Sequence, residues 1–398
     1  MNEVVICAAQ RTGIGSFQGQ WTHMAAPELA AAVIRSIVND TGLTQVDECI
    51  LGCVLSAAVG QAPARQALLK SGLQNSIPCT TVNKVCGSAM KAVSIAYDSI
   101  MAGSAELILA GGMESMSNAP YMIRARQALK MGHHQLIDHM FFDGLENPED
   151  GKLMGHYAER CVKQFRFTRE QQDCFAITSV ERARDATEKL CFEDEIVVVN
   201  GIKADEQLSK CDISKVNKLQ PVFNHLGGSV TAANSSSMSD GAAVILLASR
   251  EAAELNKLPK LGYIRGHASF AQAPEEFTTA VSGAIKKVLK QCQWSIDDVE
   301  LFEINEAFAV VVLAAMQSLQ LTHDQVNIRG GACAIGHPIG ASGARVIVTL
   351  VHTMLQKSIR RGIASVCIGG GEAMAIAIEL SKTPDALYKK SANLNMDD

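Results

Sequence analysis

Three residues with reactive side chains stand close to glycines in this sequence. Cys86 lies within residues 83–88, Asn-Lys-Val-Cys-Gly-Ser, just before a predicted helix, where unpaired N–H groups and the helix dipole lower the pKa of a thiol. His337 stands between a glycine and a proline, which fix the direction of its ring, and Cys367 is followed, after Ile368, by three glycines. A nucleophilic thiol, an imidazole and a second thiol together suit acyl transfer coupled to proton abstraction. Each thiol taken alone is also compatible with an ordinary buried cysteine.

The elements that must position these residues alternate between strands and helices. Apolar runs and helical spacing predict, in chain order, a strand at 4–9, a helix at 27–39, a strand at 48–55, a helix at 89–101, a strand at 106–110, a helix at 341–356 and a strand at 364–368. Alternation of this kind is typical of layered α/β folds.

Two glycine-rich blocks, each after an apolar strand, indicate that the fold is duplicated. Residues 111–116 read Gly-Gly-Met-Glu-Ser-Met and residues 369–374 read Gly-Gly-Gly-Glu-Ala-Met, so four of six positions agree. We interpret the blocks as parts of two similar α/β halves that face each other, which would place Cys367 opposite Cys86. The alternative is that glycines recur after strands by chance.

The stretch between the two halves has a different amino-acid composition. Residues 116–238 are charged, rich in His and Met, and contain one predicted helix at 168–189. Excursions this long within compact folds are usually functional. We therefore expect three parts: an N-terminal half formed by residues 1–115 with 239–260, a loop or lid domain at 116–238, and a C-terminal half at 261–398.

Composition excludes several classes of protein. The 398 residues carry a net charge of −5, which argues against nucleic acid as the main partner. Twelve cysteines include no Cys-x-x-Cys pair and no zinc-like Cys/His spacing, so we expect no metal and a reducing compartment. The sequence shows no secretory signal and no run of about 18 apolar residues, so we expect a cytoplasmic protein without a membrane span.

Four blocks resemble the signature motifs of the thiolase family. They are residues 83–88, Asn-Glu-Ala-Phe at 305–308, Gly-His-Pro-Ile-Gly-Ala-Ser-Gly at 336–343 and Cys-Ile-Gly-Gly-Gly at 367–371, in the family's order and spacing. The similarity extends from about Val4 to Leu380. It implies a thiolase-like fold, in which duplicated α/β halves form an α-β-α-β-α arrangement with an inserted loop domain.

The resemblance also implies roles for individual residues. Cys86 would be the acyl-accepting nucleophile, His337 would activate it, and Cys367 would act as the acid and base. Asn305 would hold a water that joins His337 Nε2 in one oxyanion hole, and the N–H groups of Cys86 and Gly369 would form a second. The positions that correspond to coenzyme A contacts are Leu145, Met154, Lys210, Ser236, Ala307 and Phe308.

Within the family, the sequence from Gly112 to Tyr121 resembles the acetoacetyl-CoA thiolases more than the long-chain ones. It predicts an acetyl-CoA C-acetyltransferase that condenses two acetyl-CoA molecules reversibly. Coenzyme A and acetyl-CoA would be substrates, with no tightly bound cofactor, and the chain would assemble as a homodimer or, by preference, a tetramer. Four residues depart from the family pattern near the expected site: Leu153, Lys210, Arg329 and Cys333.

Three other functions compete with this prediction. A 3-ketoacyl-CoA thiolase of broader chain length would share every motif. A decarboxylating ketoacyl synthase of related fold would need no base at position 367, so the thiol there favours a thiolase. A catalytically silent protein that binds coenzyme A or lipid would be expected to have lost at least one of Cys86, His337 and Cys367, and all three are present.

Overall fold

The structure is a computed structural model that describes residues 3–126 and 131–381. Its strands are β1 (Val4–Thr12), β2 (Gly15–Ser16), β3 (Glu48–Gly52), β4 (Cys79–Val82), β5 (Leu107–Ser115), β6 (Tyr121–Met122), β7 (Ile137–Asp138), β8 (Ile196–Val197), β9 (Ser239–Ser249), β10 (Gly262–Ala271), β11 (Leu301–Ile304), β12 (Arg361–Ile368) and β13 (Glu372–Glu379).

The helices are α1 (Ala26–Thr41), α2 (Pro63–Lys70), α3 (Ser88–Met101), α4 (Met154–Phe165), α5 (Arg169–Glu188), α6 (Gln207–Lys210), α7 (Arg250–Leu255), α8 (Ala280–Cys292), α9 (Ala309–Leu319), α10 (Ala332–Ile335) and α11 (Ser342–Lys357). A one-turn π-helix at Phe141–Leu145 precedes α4. No helix among the residues described is both long and apolar enough to cross a membrane.

Strand pairing confirms the predicted duplication. The main sheet runs β11-β12-β13-β10-β1-β9-β5-β3-β4, with β2 and β8 at its side. On either side of the central β1–β10 pair, the next two pairings are antiparallel and the third is parallel. The strands of the two sides also follow each other in the same chain order, so the second half repeats the first, and within the described residues up to 381 it has no counterpart of β4.

The hydrophobic cores divide the molecule into five layers. Side chains on β9 alternate between two cores: Ile245 and Leu247 pack with α3 and α11, whereas Val244 and Leu246 pack with α1 and α2. On β13, Ile376 likewise faces α3 and α11, whereas its neighbours Ala375 and Ala377 face α8 and α9. The main sheet thus forms two layers, a first sheet of β1, β9, β5, β3 and β4 and a second sheet of β10, β13, β12 and β11. The order of layers is α1/α2, first sheet, α3/α11, second sheet, α8/α9, in agreement with the expected α-β-α-β-α arrangement.

The two central helices, α3 and α11, approach each other closely because a glycine stands at their contact. A Cβ atom on Gly343 of α11 would lie 2.6 Å from the backbone nitrogen of Met90 in α3. A Cβ on Gly112, in β5, would lie 2.1 Å from the carbonyl oxygen of Gly340, in the turn before α11. Real Cβ atoms do not come this near to backbone, so both positions require glycine. The contact brings the N-terminal ends of α3 and α11 to one place.

Three boundaries differ from the sequence-based expectations. The predicted strand at 48–55 ends at Gly52, where the chain turns away from the sheet. The two glycine blocks are not equivalent in structure, because residues 111–115 continue β5 whereas 369–371 form the turn between β12 and β13. Asn305 and Glu306, a polar pair that the sequence alone places at the start of an apolar helix, lie in the connection before α9. The division into parts at 116, 239 and 261 stays a proposal.

The close contact between the central helices gives a stability prediction. We expect Gly343→Ala to lower the free energy of unfolding by about 1–3 kcal/mol, because the added methyl group meets the backbone of α3 and one helix must shift. Gly144→Ala is the matched control, since its Cβ would meet only the ends of two side chains at 3.1 and 3.4 Å. Denaturant melts measure both changes. A Gly343→Ala protein with an unchanged free energy of unfolding would contradict the close packing.

Candidate active site

The turn before α3 holds Cys86 in a strained position. Val85 has a φ of 47°, a conformation that is unusual for a β-branched residue and costs about 1–3 kcal/mol. Asn83 Oδ1 accepts a hydrogen bond from the Val85 N–H at 3.0 Å. The Ser88 hydroxyl accepts from the Lys84 N–H at 2.8 Å and donates to the Val85 carbonyl at 2.6 Å. These bonds offset the strain and fix the direction of the Cys86 side chain.

The resting Cys86 is a protonated thiol. Burial raises the pKa of Cys86 to about 11, although hydrogen bonds from the N–H groups of Gly369 and of Cys86 itself lower it. The negative charge of Glu114 raises this pKa slightly further. The expectation of a lowered pKa is therefore wrong: loss of water around the sulfur outweighs the helix end and the two donors. A base must take the proton when the thiol reacts.

The turn that carries His337 is built from backbone contacts. Gly336 has a φ of +104°, and a Cβ there would lie 2.1 Å from Ser239 Oγ, so only glycine fits. The N–H of His337 donates to the Ser237 carbonyl at 3.0 Å and to Ser239 Oγ at 3.2 Å. The imidazole is buried, and that burial, followed by the charge of Arg345, lowers the pKa of His337 to about 3. The ring is therefore neutral at physiological pH.

The Ser342 hydroxyl determines which ring nitrogen of His337 bears the proton. Ser342 Oγ lies 2.5 Å from His337 Nδ1 and 2.9 Å from the Pro338 carbonyl. When its single hydrogen points to Pro338, Nδ1–H must donate to Ser342 and Nε2 is a base. When the hydrogen points to the ring, Nε2 bears the proton and becomes a donor. A neutral imidazole in this site can thus serve either purpose.

Asn305 faces the same imidazole. Its Nδ2 lies 3.4 Å from both His337 nitrogens, and its Oδ1 accepts from Arg345 Nη2 at 3.4 Å. Arg345 is held in turn by a buried ion pair with Glu303 at 2.8 Å. Burial raises the pKa of Glu303 to about 7, although its arginine partner opposes the shift. The amide orientation thus depends on a charged pair behind it.

Cys367 comes to Cys86 from the opposite half. It is buried near the end of β12, and burial followed by the charge of Cys86 raises its pKa well above the ordinary value. Two residues later, the N–H of Gly369 donates to the Cys86 sulfur. Lys84 and Glu372 form an ion pair across the same junction. The structure therefore brings together the two thiols that the sequence placed opposite each other.

Five of the six residues expected to contact coenzyme A lie around this centre. Leu145, at the end of the π-helix, belongs to the same apolar cluster as Cys86. The sulfur of Met154 lies 3.3 Å from where a Cβ on Gly369 would stand. Ser236 donates through its N–H and its hydroxyl to the Ala307 carbonyl, at 3.0 Å each. Phe308 is paired with Ser235 and packs edge-on against Phe223 at 6.0 Å.

Two family models match this chain. One, described as the N-terminal domain of thiolase, covers residues 4–251, and the other, described as its C-terminal domain, covers residues 258–380. The chain belongs to the thiolase family. An acetyl-CoA acetyltransferase of Pseudomonas aeruginosa is 44% identical over 95% of this chain and 99% of its own length. Acetyl-CoA acetyltransferase 2 of Arabidopsis thaliana is also 44% identical, over 95% and 97% respectively.

Solved thiolase structures have the same fold. The Acat5 thiolase of Ascaris suum in complex with coenzyme A superposes with a TM-score of 0.91 at 40% identity, covering 95% of this chain and 100% of the other. The acetyl-CoA acetyltransferase of Bacillus anthracis gives a TM-score of 0.91 at 36% identity, covering 95% and 99%. Agreement over nearly the full length of both chains confirms the predicted family and fold class.

Three of the four departures from the thiolase pattern have contacts that account for them. Lys210, at the end of α6, forms an ion pair at 2.6 Å with Glu206, the residue just before that helix. Arg329 is buried and donates to the Cys191 carbonyl and to Gln356, which ties the loop segment to α11. Cys333 is buried against Glu306. Leu153 is the residue that precedes α4.

The residues that orient the thiolase imidazole were missed from sequence. Arg345 and Glu303 are charged residues within apolar segments, and that pattern could have identified a buried pair. Ser342 lies in a quoted motif, but its contact with His337 depends on how α11 begins. Among residues 3–126 and 131–381, no group of three or more His, Cys, Asp or Glu side chains is arranged to hold a metal.

The raised pKa of the thiol gives a prediction for the free protein. Alkylation by iodoacetamide requires the thiolate, so we expect the alkylation rate of Cys86 to rise about tenfold per pH unit from pH 7 to 9 without levelling off. The label on Cys86 is read in the tryptic peptide 85–91. Alkylation of the exposed Cys174, read in peptide 170–182, controls for decay of the reagent. A rate that reaches a plateau below pH 9 would show that the resting thiol is already activated.

Proposed function

We propose that this thiolase is an acetyl-CoA acetyltransferase that forms acetoacetyl-CoA from two acetyl-CoA molecules and catalyses the reverse thiolysis. The observation that carries the proposal is the meeting of Cys86 and Cys367, with the Gly369 N–H directed at the Cys86 sulfur. One thiol can carry an acyl group while the other moves a proton. A decarboxylating synthase would have no use for the second thiol.

In the first half-reaction, His337 takes the proton of Cys86 through Nε2. The required tautomer exists when Ser342 donates to Pro338 and accepts from Nδ1–H. The sulfur attacks the acetyl carbonyl, coenzyme A leaves as a thiol after receiving the proton, and Cys86 becomes acetylated. The N–H groups of Cys86 and Gly369 would stabilise the oxyanion, a contribution of about 3 kcal/mol per donor in comparable sites.

In the second half-reaction, Cys367 removes a proton from the methyl group of a second acetyl-CoA. Because burial keeps Cys367 protonated at rest, it can act as a base only after His337 Nε2 has taken its proton. The enolate oxygen would then be stabilised by Nε2–H of His337 and by a water held on Asn305. The carbanion attacks the acetyl group on Cys86, acetoacetyl-CoA leaves, and the proton on Nε2 passes to the Cys86 sulfur.

We propose that the pantetheine arm of coenzyme A passes between the loop domain, residues 116–238, and the C-terminal half of the chain. Met154 beside Gly369, and Ser236 beside Ala307, line a path that leads to Cys86. The edge-on series Phe223, Phe308 and Phe277, with ring centroids 6.0 and 6.4 Å apart, supplies its apolar wall. Lys210 would contribute to the adenine end only if its pairing with Glu206 opened.

We also propose that the protein acts as a cytoplasmic homo-oligomer, a dimer or more readily a tetramer. The hairpin formed by β6 and β7 exposes large apolar side chains, with Tyr121 at 67% and Leu136 at 63% exposure. Exposed apolar residues grouped on one projection are typical of an interaction surface. Light scattering during gel filtration measures the mass, and a fully active species at the chain mass of 42.5 kDa would refute the assembly.

Substrate chain length separates the proposed activity from that of a broader 3-ketoacyl-CoA thiolase. We expect thiolysis of acetoacetyl-CoA to exceed that of C8 to C16 ketoacyl-CoA substrates by at least about tenfold in kcat/KM. The physical reason is that Leu145, Ile339 and Met116 pack in one apolar cluster with Cys86, so we expect them to limit the length of an acyl chain on its sulfur. Equal kcat/KM across the series would favour the broader enzyme.

The two thiols should be separable by mutation. In the Cys367→Ser protein, we expect acetyl-CoA to acetylate Cys86 at nearly the normal rate, read as the acetyl mass on peptide 85–91. We expect the rate of condensation to fall by about 10²–10⁴-fold. The control is Cys161→Ser, because Cys161 is a buried thiol in the same core as Cys367. Equal loss of both steps in Cys367→Ser would show that this thiol is needed for folding or for activating Cys86.

A further inference from the structure

Two cysteines that the mechanism does not use stand side by side at the edge of the first sheet. Cys49 in β3 and Cys79 in β4 are direct partners in the parallel ladder, and β4 is the last strand of the sheet order. Adjacent strands lie about 4.7–4.9 Å apart, within the range of Cα separations that a disulfide spans. Both side chains face the outer layer formed by α1 and α2.

A fixed cation adjoins one of the two sulfurs. Arg65 Nη1, on α2, lies 4.0 Å from Cys79 Sγ, and the guanidinium is held by donating to the carbonyls of Asn75 and Ile77. Cys79 is partly accessible, whereas Cys49 is buried. The arrangement therefore combines a reachable sulfur next to a positive charge with a second sulfur directly behind it.

The two thiols differ in acidity. A hydrogen bond from Cys49, followed by the hydrogen bond and charge of Arg65, lowers the pKa of Cys79 to about 7 against the effect of its partial burial. The same contact with Cys79, followed by burial, raises the pKa of Cys49. Cys79 is therefore the more acidic of the two thiols and forms a thiolate more readily than Cys49. This is the reverse of the situation at Cys86.

We propose that Cys79 and Cys49 form an oxidisable dithiol that hydrogen peroxide converts into a disulfide between β3 and β4. The Cys79 thiolate attacks the peroxide O–O bond, which gives a sulfenic acid and releases hydroxide. The Cys49 sulfur then attacks the Cys79 sulfur, so that an S–S bond forms, the S–O bond breaks and water leaves with the thiol proton. Overall, two thiols are oxidised and one peroxide is reduced to two waters.

The chain offers a clean way to detect the bond. The full-length protein is reduced, freed of reductant, treated with graded hydrogen peroxide at pH 7, blocked with N-ethylmaleimide and digested with trypsin. Cys79 then lies alone in peptide 71–84, while Cys49 and Cys53 share peptide 36–65. The expected product is a disulfide between these two peptides, assigned to Cys49 by fragmentation, which disappears after reduction. Absence of that linked pair at every peroxide concentration would overturn the proposal.

Variants identify each partner. Cys53→Ser is the matched control and should keep the cross-link, whereas Cys49→Ser should leave Cys79 as a sulfenic acid that dimedone traps. Arg65→Gln should slow oxidation of Cys79 about three- to fivefold, because the fraction of Cys79 present as thiolate falls. The fall is only partly offset by the higher nucleophilicity of a thiolate with a higher pKa. Arg65→Lys keeps the positive charge and should restore most of the oxidation rate. Cys174, which is exposed, reports on accessibility alone. Faster oxidation of Cys174 than of Cys79, or a cross-link that survives Cys49→Ser, would contradict the assignment.

Discussion

The packing of α3 against α11 is the constraint on which the rest of the molecule depends. Each helix belongs to one half, and each begins at a reactive residue or just after one. Because Gly343 of α11 lies against the backbone of Met90 in α3, and Gly340 just before α11 lies against Gly112 of β5, the N-terminal end of α11 is fixed relative to that of α3. The nucleophile turn of one half and the imidazole turn of the other therefore meet at a single point between the sheets.

The same burial that fixes this geometry sets the protonation states. Cys86 and Cys367 lose water and keep their protons, whereas His337 loses water and stays neutral. The resting site therefore holds two thiols and a neutral imidazole rather than a thiolate and an imidazolium. Charge is created only when substrate arrives, close to the N–H groups that can stabilise it. Such a site protects its nucleophile from reacting without substrate.

Sequence alone was sufficient for the fold class, and it proposed most of the candidate site, because both depend on local patterns. Apolar runs located α1, α3 and α11 to within about two residues, and the glycine-flanked blocks identified Cys86, His337 and Cys367. The sign of the Cys86 pKa shift was wrong because it depends on burial by residues distant in sequence, such as Ile339 and Leu145. The buried pair of Arg345 and Glu303 was missed for the same reason: its partners come from different elements.

The duplicated glycine blocks show how a correct conclusion can rest on an incomplete correspondence. The repeat of Gly-Gly-x-Glu-x-Met indicated two equivalent halves, and the strand order agrees. Yet the first block continues a strand and the second makes a turn, because only the second must present an N–H to Cys86. The divergence occurs where the second half contacts Cys86 and the first half does not need such a contact.

The central claim is that a neutral imidazole activates a neutral thiol. Its most direct test is the single-turnover rate at which acetyl-CoA acetylates Cys86 in His337→Gln, measured from pH 7 to 10. The account predicts a loss of about 10²–10⁴-fold at pH 7 and a rise of about tenfold per pH unit, as hydroxide replaces the missing base. Acetylation at the rate of the unaltered protein at pH 7 would contradict it.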